Sequence, residues 1–136
     1  MKLVTSRIHY AIKSLVYISK EPNRVVSVNE LVTKLNMRRA FLRRILQMLS
    51  KNKVLKSSKG RNGGFSLNKK PNKLRIIDIM EIFRKKTDVM SCLFEGGICP
   101  YPDNCPLMNK MKEAERKLHN ALKTITIAAL LKNRKK

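Results

Sequence analysis

The stretch SVNELVTKLNMRRAFLRRILQMLS, residues 27–50, decides the architecture of this 136-residue chain. Ser27 stands three positions before Glu30, which is the spacing of a capping box and predicts a helix over residues 28–35. Asn36 interrupts the apolar period, and a second helix is predicted to begin near Arg38. The apolar side chains of that second helix fall on one side: Phe41, Leu42, Ile45, Leu46 and Leu49. Two short helices joined by so tight a turn predict a helix-turn-helix.

A β-hairpin is predicted directly after these two helices. Residues 54–58 (VLKSS) and 65–67 (FSL) are strand-like, and they flank the glycine-rich basic tip KGRNGG at residues 59–64. Amphipathic helices are predicted on either side, at residues 6–19 and 76–83. The expected fold is therefore mainly α with a small β-hairpin wing, which makes a winged helix-turn-helix, followed by a long C-terminal helix.

The long C-terminal helix carries a heptad pattern. Its apolar residues step by 4, 3, 4, 3 and 4 positions along the chain: Leu107, Met111, Ala114, Leu118, Ala121 and Ile125. A seam of this kind needs an apolar partner surface. We expect a dimerisation helix, although packing of the seam on its own domain would also satisfy the pattern.

The formal charge of +22 is large for a chain of this length. The first 68 residues contain 15 Lys and Arg against two acidic residues, Glu21 and Glu30, and such an excess indicates affinity for polyanions. The second helix of the helix-turn-helix and the wing offer side chains suited to base edges and phosphates: Arg38, Arg39, Arg43, Arg44, Gln47, Lys59, Arg61 and Asn62. Double-stranded DNA is the expected partner, because arginine forks bind guanine and a hairpin tip of small residues can approach the minor groove.

The three cysteines of the chain lie close together, with the spacing C-x6-C-x5-C, at Cys92, Cys99 and Cys105. Glycines and prolines around them predict a loop. One thiol is left over from any internal disulfide, and thiolates are soft ligands that favour iron–sulfur clusters, zinc or copper(I). Structural zinc sites usually space their cysteines as C-x2–4-C, so zinc fits poorly. A cluster of such thiols in the same chain as a DNA-binding motif is the arrangement expected of a sensor.

Several classes of protein do not fit the sequence. No run approaches the roughly 20 apolar residues needed to span a bilayer, and the start has no secretory h-region, so a cytoplasmic protein without membrane contact is expected. An enzyme is not expected, because there is no phosphate-cradling motif, no cluster of acidic metal ligands and only two histidines.

The ordered combination of these pieces resembles the Rrf2 family of winged-helix regulators, the family of IscR and NsrR. The matching segments include the opening MKL with Ser6, Tyr10 and Ala11, the helix-turn-helix, GRNGGF (60–65), LRIIDIM (74–80), the cysteine segment and TIAALL (126–131). The resemblance implies a homodimeric transcriptional regulator, usually a repressor, of a partly palindromic operator. Two departures are Arg43-Arg44, where members often have Glu-Gln, and Lys53, where a glycine commonly follows the recognition helix.

The resemblance also implies an iron–sulfur cluster, 4Fe–4S or 2Fe–2S, on Cys92, Cys99 and Cys105. Three cysteines leave one position of a four-ligand cluster open. His9 of the partner subunit is the candidate fourth ligand, because nitric-oxide-sensing relatives place an aspartate there; the alternative is an exposed histidine without this role. His119 is expected on the surface. Nitric oxide, oxygen or iron–sulfur status is the expected signal.

The chain is accordingly divided into a DNA-binding domain at 1–83, a cluster-binding loop at 84–106, a dimerisation helix and C-terminal segment at 107–131, and a basic tail at 132–136. Two other functions are compatible with the sequence: a cluster-free repressor that responds to thiol oxidation or to a ligand, and a nonspecific nucleoid-type DNA-binding protein. An electron carrier would leave the wing and the basic helix unexplained.

Overall fold

A computed structural model describes residues 6–83 and 105–133 of the chain. Most of the described residues are helical, and two short strands form a hairpin between the third and fourth helices. In chain order the elements are α1 (Ser6–Ser19), α2 (Val28–Leu35), α3 (Arg39–Lys51), β1 (Leu55–Ser58), β2 (Gly64–Leu67), a 3₁₀ turn (Pro71–Lys73), α4 (Ile76–Phe83), α5 (Pro106–Leu122) and α6 (Ile127–Asn133). The predicted mainly helical winged fold is confirmed.

The start of α2 forms as the sequence predicts, with one difference in its cap. The side chain of Ser27 accepts a hydrogen bond from the backbone N–H of Glu30 at 3.1 Å, which satisfies one of the free amides at the helix start. The carboxylate of Glu30 does not complete the capping box, because it accepts hydrogen bonds from Tyr17 and Arg24 instead. The expected reciprocal cap is thus replaced by a tie between α2 and α1.

Two non-glycine residues adopt the left-handed backbone conformation, and each ends a helix of the helix-turn-helix. Asn36, with φ of 53°, follows α2, and its N–H bonds the carbonyl of Val32. Lys53, with φ of 63°, follows α3. The N–H of Lys53 bonds Ser50 O at 3.0 Å and the N–H of Val54 bonds Leu49 O at 2.9 Å, which is the Schellman pattern of a helix C-terminus.

The wing is a two-stranded antiparallel hairpin that gains a third partner from the loop before α2. Leu55 pairs with Leu67 and Ser58 with Gly64 across the hairpin. Val26 forms a bridge with Phe65, with both backbone hydrogen bonds at 2.8 Å. The wing therefore has a fixed position relative to the helix-turn-helix, because the segment that caps α2 is also bonded to β2.

One hydrophobic core joins the described elements. Its fully enclosed members come from helices α1 to α4, from the wing and from α6: Leu15, Ile18, Leu31, Leu42, Ile45, Leu46, Leu49, Leu55, Ile79 and Ile127. The C-terminal segment is held by backbone bonds from Ile76 N–H to Ile125 O and from Ile127 N–H to Leu74 O, each at 2.9 Å. These bonds place α6 against α1.

Helix α5 is shorter than the predicted seam. It ends at Leu122, and Ile125, the last predicted seam position, lies in the turn before α6 and bonds α4 instead. The extension of the seam to Ile125 is wrong, because the backbone of this segment pairs with the start of α4 rather than continuing the helix. In the described ranges, no helix has the length and apolar character needed to cross a bilayer.

Candidate nucleic-acid interface

The exposed face of α3 carries a row of polar side chains at successive turns. Arg39, Arg43, Gln47 and Lys51 are each four residues apart, which places them one above the next on a helix, and all four are exposed. The opposite face contributes Leu42, Ile45, Leu46 and Leu49 to the core. Burial of that apolar face fixes the rotation of α3, and the fixed rotation directs the basic row towards solvent.

The wing and α3 enclose a groove between them. The groove has a volume of about 350 Å³ and is open to solvent on one side. Its walls come from the start of α2, from the basic row of α3 and from both strands and the tip of the wing: Ser27, Val28, Asn29, Arg39, Arg43, Gln47, Ser57, Ser58, Gly60, Arg61, Gly63, Gly64 and Phe65. Three guanidinium groups on a concave surface of small residues make a site for an extended polyanion.

The predicted DNA-binding residues divide into two sets. Arg39, Arg43, Gln47 and Arg61 line the groove. The others are exposed without lining it: Arg38, Arg44, Lys59 and Asn62. The structure thus brings Arg39, Arg43 and Gln47 of α3 and Arg61 of the wing together around one groove, while the second set lies outside it.

Arg38 has a contact of its own at the start of α3. Its guanidinium carbon lies 5.9 Å from the centroid of the Phe41 ring. The Phe41 ring meets Tyr10 of α1 edge-on, with centroids 4.8 Å apart and an interplanar angle of 83°. The N-terminal end of α3 therefore packs on α1 through Tyr10, the residue that follows His9 in the chain.

Asn29 is a site residue that the sequence interpretation missed. Its side-chain carbonyl accepts a hydrogen bond from Nη1 of Arg39, and both side chains line the groove. A bond to a fixed acceptor restricts the rotamers of the long arginine side chain before any ligand arrives. Sequence spacing carries no signal for this pair, because the two residues are ten positions apart on different helices.

A charged network on the other side of α2 holds the helix-turn-helix to α1. Arg24 donates to both carboxylate oxygens of Glu30, and Tyr17 donates its hydroxyl to the same carboxylate. The hydrogen bonds from Arg24 and then Tyr17 lower the pKa of Glu30 from 4.5 to about 2. The bond to the Glu30 carboxylate raises the pKa of the Tyr17 hydroxyl. Both shifts favour the ionised carboxylate bonded to a neutral phenol.

The predicted metal ligands are described only in part. Cys92 and Cys99 lie outside the described residues. Cys105 is half-buried, is free of any disulfide and stands at the N-cap of α5, where its carbonyl accepts a bond from Asn109 N–H at 3.0 Å. His9 and His119 are both exposed on their helices. Among the described residues alone, no three His, Cys, Asp or Glu side chains are grouped to hold a metal.

A recognition helix, a hairpin wing and a basic groove between them define a winged helix-turn-helix DNA-binding protein. The model of the Rrf2 family, described as an iron-dependent transcriptional regulator, matches residues 4–133. The chain belongs to the Rrf2 family of transcriptional regulators. Members of this family are DNA-binding regulators rather than enzymes.

Individual relatives and solved structures agree with this assignment. The chain is 33% identical over 131 residues to a candidate HTH-type transcriptional regulator of Aquifex aeolicus, covering 95% of this chain and 91% of that protein. It is 26% identical over 132 residues to the regulator NsrR of Halalkalibacterium halodurans, covering 96% and 90%. The fold is similar to T. potens IscR, with a TM-score of 0.77, 20% identity, and 98% and 88% of the two chains covered. It is also similar to CymR, the global cysteine regulator of B. subtilis, with a TM-score of 0.76, 16% identity and 98% of each chain covered.

Proposed function

We propose that this regulator binds double-stranded operator DNA as a homodimer and represses transcription from it. The observation that carries the proposal is the groove formed by Arg39, Arg43 and Gln47 of α3 and Arg61 of the wing. A recognition helix of this kind enters the major groove, and its exposed residues meet base edges. The wing tip around Gly60 then lies along the adjacent backbone, where cations are favoured.

The second subunit is proposed to pack on α5. No residue of α5 is buried in the single chain, and Leu107, at 47% exposure, is the exposed large apolar residue of the described ranges. Leu107, Ala114 and Ala121 are seven residues apart, and each is exposed. An amphipathic helix with an uncovered heptad row is covered most simply by its own copy across a two-fold axis.

Selection from a random DNA pool tests the proposed binding. The full chain should enrich a sequence with two-fold symmetry, because a symmetric dimer reads two equal half-sites about one helical turn apart. Competition should then show at least about 10³-fold preference for that sequence over random DNA. Equal affinity for both would contradict an operator-specific regulator and support nucleoid-type binding. The variant R43A/Q47A should lose the preference, whereas the control T33A, exposed on α2, should retain it.

An iron–sulfur cluster is the cofactor that we propose for the cysteine segment. Its ligands would be Cys92, Cys99 and Cys105, with His9 of the partner subunit as the fourth. The described residues fit this in two respects: Cys105 is not consumed by a disulfide, and the His9 imidazole is exposed on α1 and free of the core. A bound cluster would supply a centre that reacts with nitric oxide or oxygen.

Ligation at these positions would be mechanically connected to DNA reading. Cys105 begins α5, and His9 precedes Tyr10, which packs through Phe41 on the start of α3. A tie between α5 of one subunit and α1 of the other would hold the two recognition helices at one separation. The dimer would exist in one conformation that binds DNA and one that does not. Loss of the ligands would change DNA affinity by as much as ligation shifts the free-energy difference between these two conformations.

Spectroscopy of protein purified without oxygen tests the cofactor. We expect broad absorption near ~400 nm, iron and sulfide in equal amounts, and loss of the absorption with nitric oxide. The C105S variant should lose the iron but keep the far-ultraviolet circular dichroism of the wild type. H9A should keep its fold and change the holo spectrum, and an unchanged spectrum would remove His9 from the ligand set.

A cluster-free regulator is the second candidate, because the fold is equally similar to the cysteine regulator CymR. In that case the anaerobically purified protein would be colourless and free of iron while still binding one selected sequence tightly. Thiol oxidation or a small ligand would then control its affinity. The same preparation thus separates the two candidates.

A further inference from the structure

The charges of this chain are distributed unevenly in a way that the groove does not explain. Residues 31–77 contain 14 Lys and Arg and no Asp or Glu, and every one of these cations is exposed. The groove lining and the other predicted DNA-binding residues account for five of the arginines and for Lys59. A second group follows the recognition helix and the wing: Lys51, Lys53, Lys69 and Lys70. We call this group the basal patch.

The fold brings the two halves of the basal patch together. Asn68, at the end of β2, donates its side-chain amide to the carbonyl of Lys53 at 2.8 Å, and its backbone N–H bonds Val54 O at 3.0 Å. The turn after α3, with Lys51 and Lys53, is therefore fastened to the segment that contains Lys69. None of the four lysines takes part in the ion pairs of the described residues.

One member of the patch occupies an unfavourable backbone position. Lys53 has φ of 63°, a left-handed conformation that glycine or asparagine adopts at lower cost. Its side chain contributes nothing to the core, because the residue is exposed. Residues that hold a strained backbone conformation without contributing to the core are often found at binding sites.

The patch continues the row of α3 beyond the groove. Arg39, Arg43, Gln47 and Lys51 lie on one line, and the 13 residues of α3 rise by about 18 Å from first to last at ~1.5 Å per step. This length corresponds to roughly five base pairs at 3.4 Å each. Lys51 and the rest of the basal patch therefore stand beyond the C-terminal end of the part of α3 that lines the groove.

We propose that the basal patch binds the phosphate backbone of the DNA that flanks the operator. The proposal rests on the proposed operator binding and adds a second contact surface to it. Lysines suit this role, because a flexible stem with a point charge binds phosphate without requiring a particular base. The contact would raise affinity and its dependence on salt while leaving the sequence preference unchanged.

The test compares two duplexes that carry the selected sequence. One is trimmed to that sequence, and the other extends it by about one helical turn (~10 bp) at each end. The wild type should bind the longer duplex more tightly, with a log–log salt slope steeper by about 0.9 for each added phosphate contact. The variant K51Q/K53Q/K69Q/K70Q should lose this difference, because its affinity for the longer duplex falls to its affinity for the trimmed one.

A matched control removes the same number of charges elsewhere. The variant K112Q/R116Q/K123Q/K132Q changes four exposed cations of α5, the following turn and α6. It should retain the difference between the two duplexes. An equal loss in both variants would show a general charge effect and overturn the proposal, as would a basal-patch variant that still prefers the longer duplex.

A second experiment distinguishes failure of the basal-patch proposal from failure of operator binding. It measures, by mass spectrometry, how far bound DNA protects each lysine from chemical acetylation. If no sequence is preferred over random DNA, the proposed function fails, but a random-sequence duplex can still protect lysines. Protection of the basal patch above that of Lys112 and Lys123 supports the patch as a DNA surface. Equal protection overturns it, and so does protection by phosphatidylglycerol vesicles but not by DNA, which would assign the patch to an anionic membrane surface.

Discussion

The two residues of the helix-turn-helix with left-handed backbone conformation differ in what that conformation costs. Asn36 adopts this conformation at low cost, because its short polar side chain tolerates it. Lys53 does not have that advantage. At the residue scale, stability and binding therefore make opposite demands at Lys53, whereas at Asn36 they do not conflict.

Replacing Lys53 with glycine should stabilise the fold. Glycine adopts a φ of 63° without a Cβ penalty, so we expect a gain of about 1 kcal/mol in the free energy of unfolding. Urea denaturation followed by circular dichroism measures it. The control K51G, in the last turn of α3, should lose up to about 1 kcal/mol, because glycine is unfavourable within a helix. A loss of stability in K53G would contradict the left-handed assignment.

The pair of Asn29 and Arg39 makes a second prediction at this scale. N29A should weaken binding of the selected duplex by about 1 kcal/mol, roughly fivefold, because the Arg39 guanidinium loses the acceptor that orients it. R39A and R39A/N29A should bind equally weakly, so that the double-mutant cycle is non-additive. Fluorescence anisotropy at fixed salt measures all three affinities. Additive losses would mean that Asn29 contacts DNA independently of Arg39.

At the scale of elements, the wing depends on close approaches between backbones, and the one at Gly64 joins it to the loop before α2. An added Cβ on Gly64 would lie 2.2 Å from the carbonyl oxygen of Val26, and the backbone of the loop before α2 cannot move without breaking the bridge to Phe65. Gly60 at the tip has a different reason to be glycine, since its φ is 103° and it meets no neighbour. The hairpin thus needs glycine at the start of β2 for packing and at its tip for conformation.

The substitution G64A should therefore displace the wing. We expect a loss of about 2 kcal/mol in the free energy of unfolding, as for other overpacked sites, and a weaker affinity for the selected duplex. Thermal unfolding and anisotropy provide the two readouts. The control S58A, the cross-strand partner of Gly64, is exposed and should change stability by less than about 0.5 kcal/mol.

The network between α1 and α2 predicts a pH dependence. The pKa of Glu30 is lowered from 4.5 to about 2, so its stabilising contribution is complete above 4.5 and is lost as the pH falls from 4.5 towards 2. The raised pKa of Tyr17 acts in the opposite direction, because its contribution is present below pH 10.0 and is lost as the pH rises above that value. E30Q should flatten the acid limb of a plot of melting temperature against pH, whereas E21Q should leave most of that limb in place. An identical acid limb in E30Q would contradict the network.

At the scale of the whole molecule, the folded chain leaves one helix incompletely covered. Helix α6 returns to the core through Ile127, whereas α5 contributes no buried residue to it. In the proposed homodimer, two copies of α3 would match two half-sites, so the surface that joins the subunits would also set the separation of these helices. The exposed row of α5 would then control DNA binding without contacting DNA.

Charge placed in this row should separate the subunits. L107D is expected to sediment as a monomer at concentrations where the wild type is a dimer, because an aspartate in the seam is desolvated without a partner. Its helical content should be unchanged, since Leu107 is 47% exposed in the single chain. K112E reverses a charge on an exposed position of α5 and should stay dimeric. A dimeric L107D would place the subunit interface elsewhere.

The sequence alone determined the order and type of the α-helices and strands from α1 to α5, whereas the separate helix α6 was not predicted. Helical periodicity, the Ser27 cap, the break at Asn36 and the glycine-rich tip are local signals, and they predicted the helix-turn-helix and wing because local preference and apolar pattern agreed there. The face of α3 that carries Arg39, Arg43 and Gln47 was equally predictable, since burial of its apolar side fixes its rotation. The DNA-binding roles of these residues and the cluster ligands remain predictions.

Only the tertiary structure decided what depends on contacts between distant segments. The diversion of Glu30 from its cap to Tyr17 and Arg24, the bond from Arg39 to Asn29, and the pairing of Val26 with the wing each join residues with no common periodicity. The end of α5 at Leu122 was also invisible to the heptad pattern, because the hydrogen bond that Ile125 O accepts from Ile76 N–H of α4 competes with helix continuation. Local sequence sets which elements form. Most polar side chains could bond any of several neighbours, and the packing of the core then fixes which of those neighbours lie within reach.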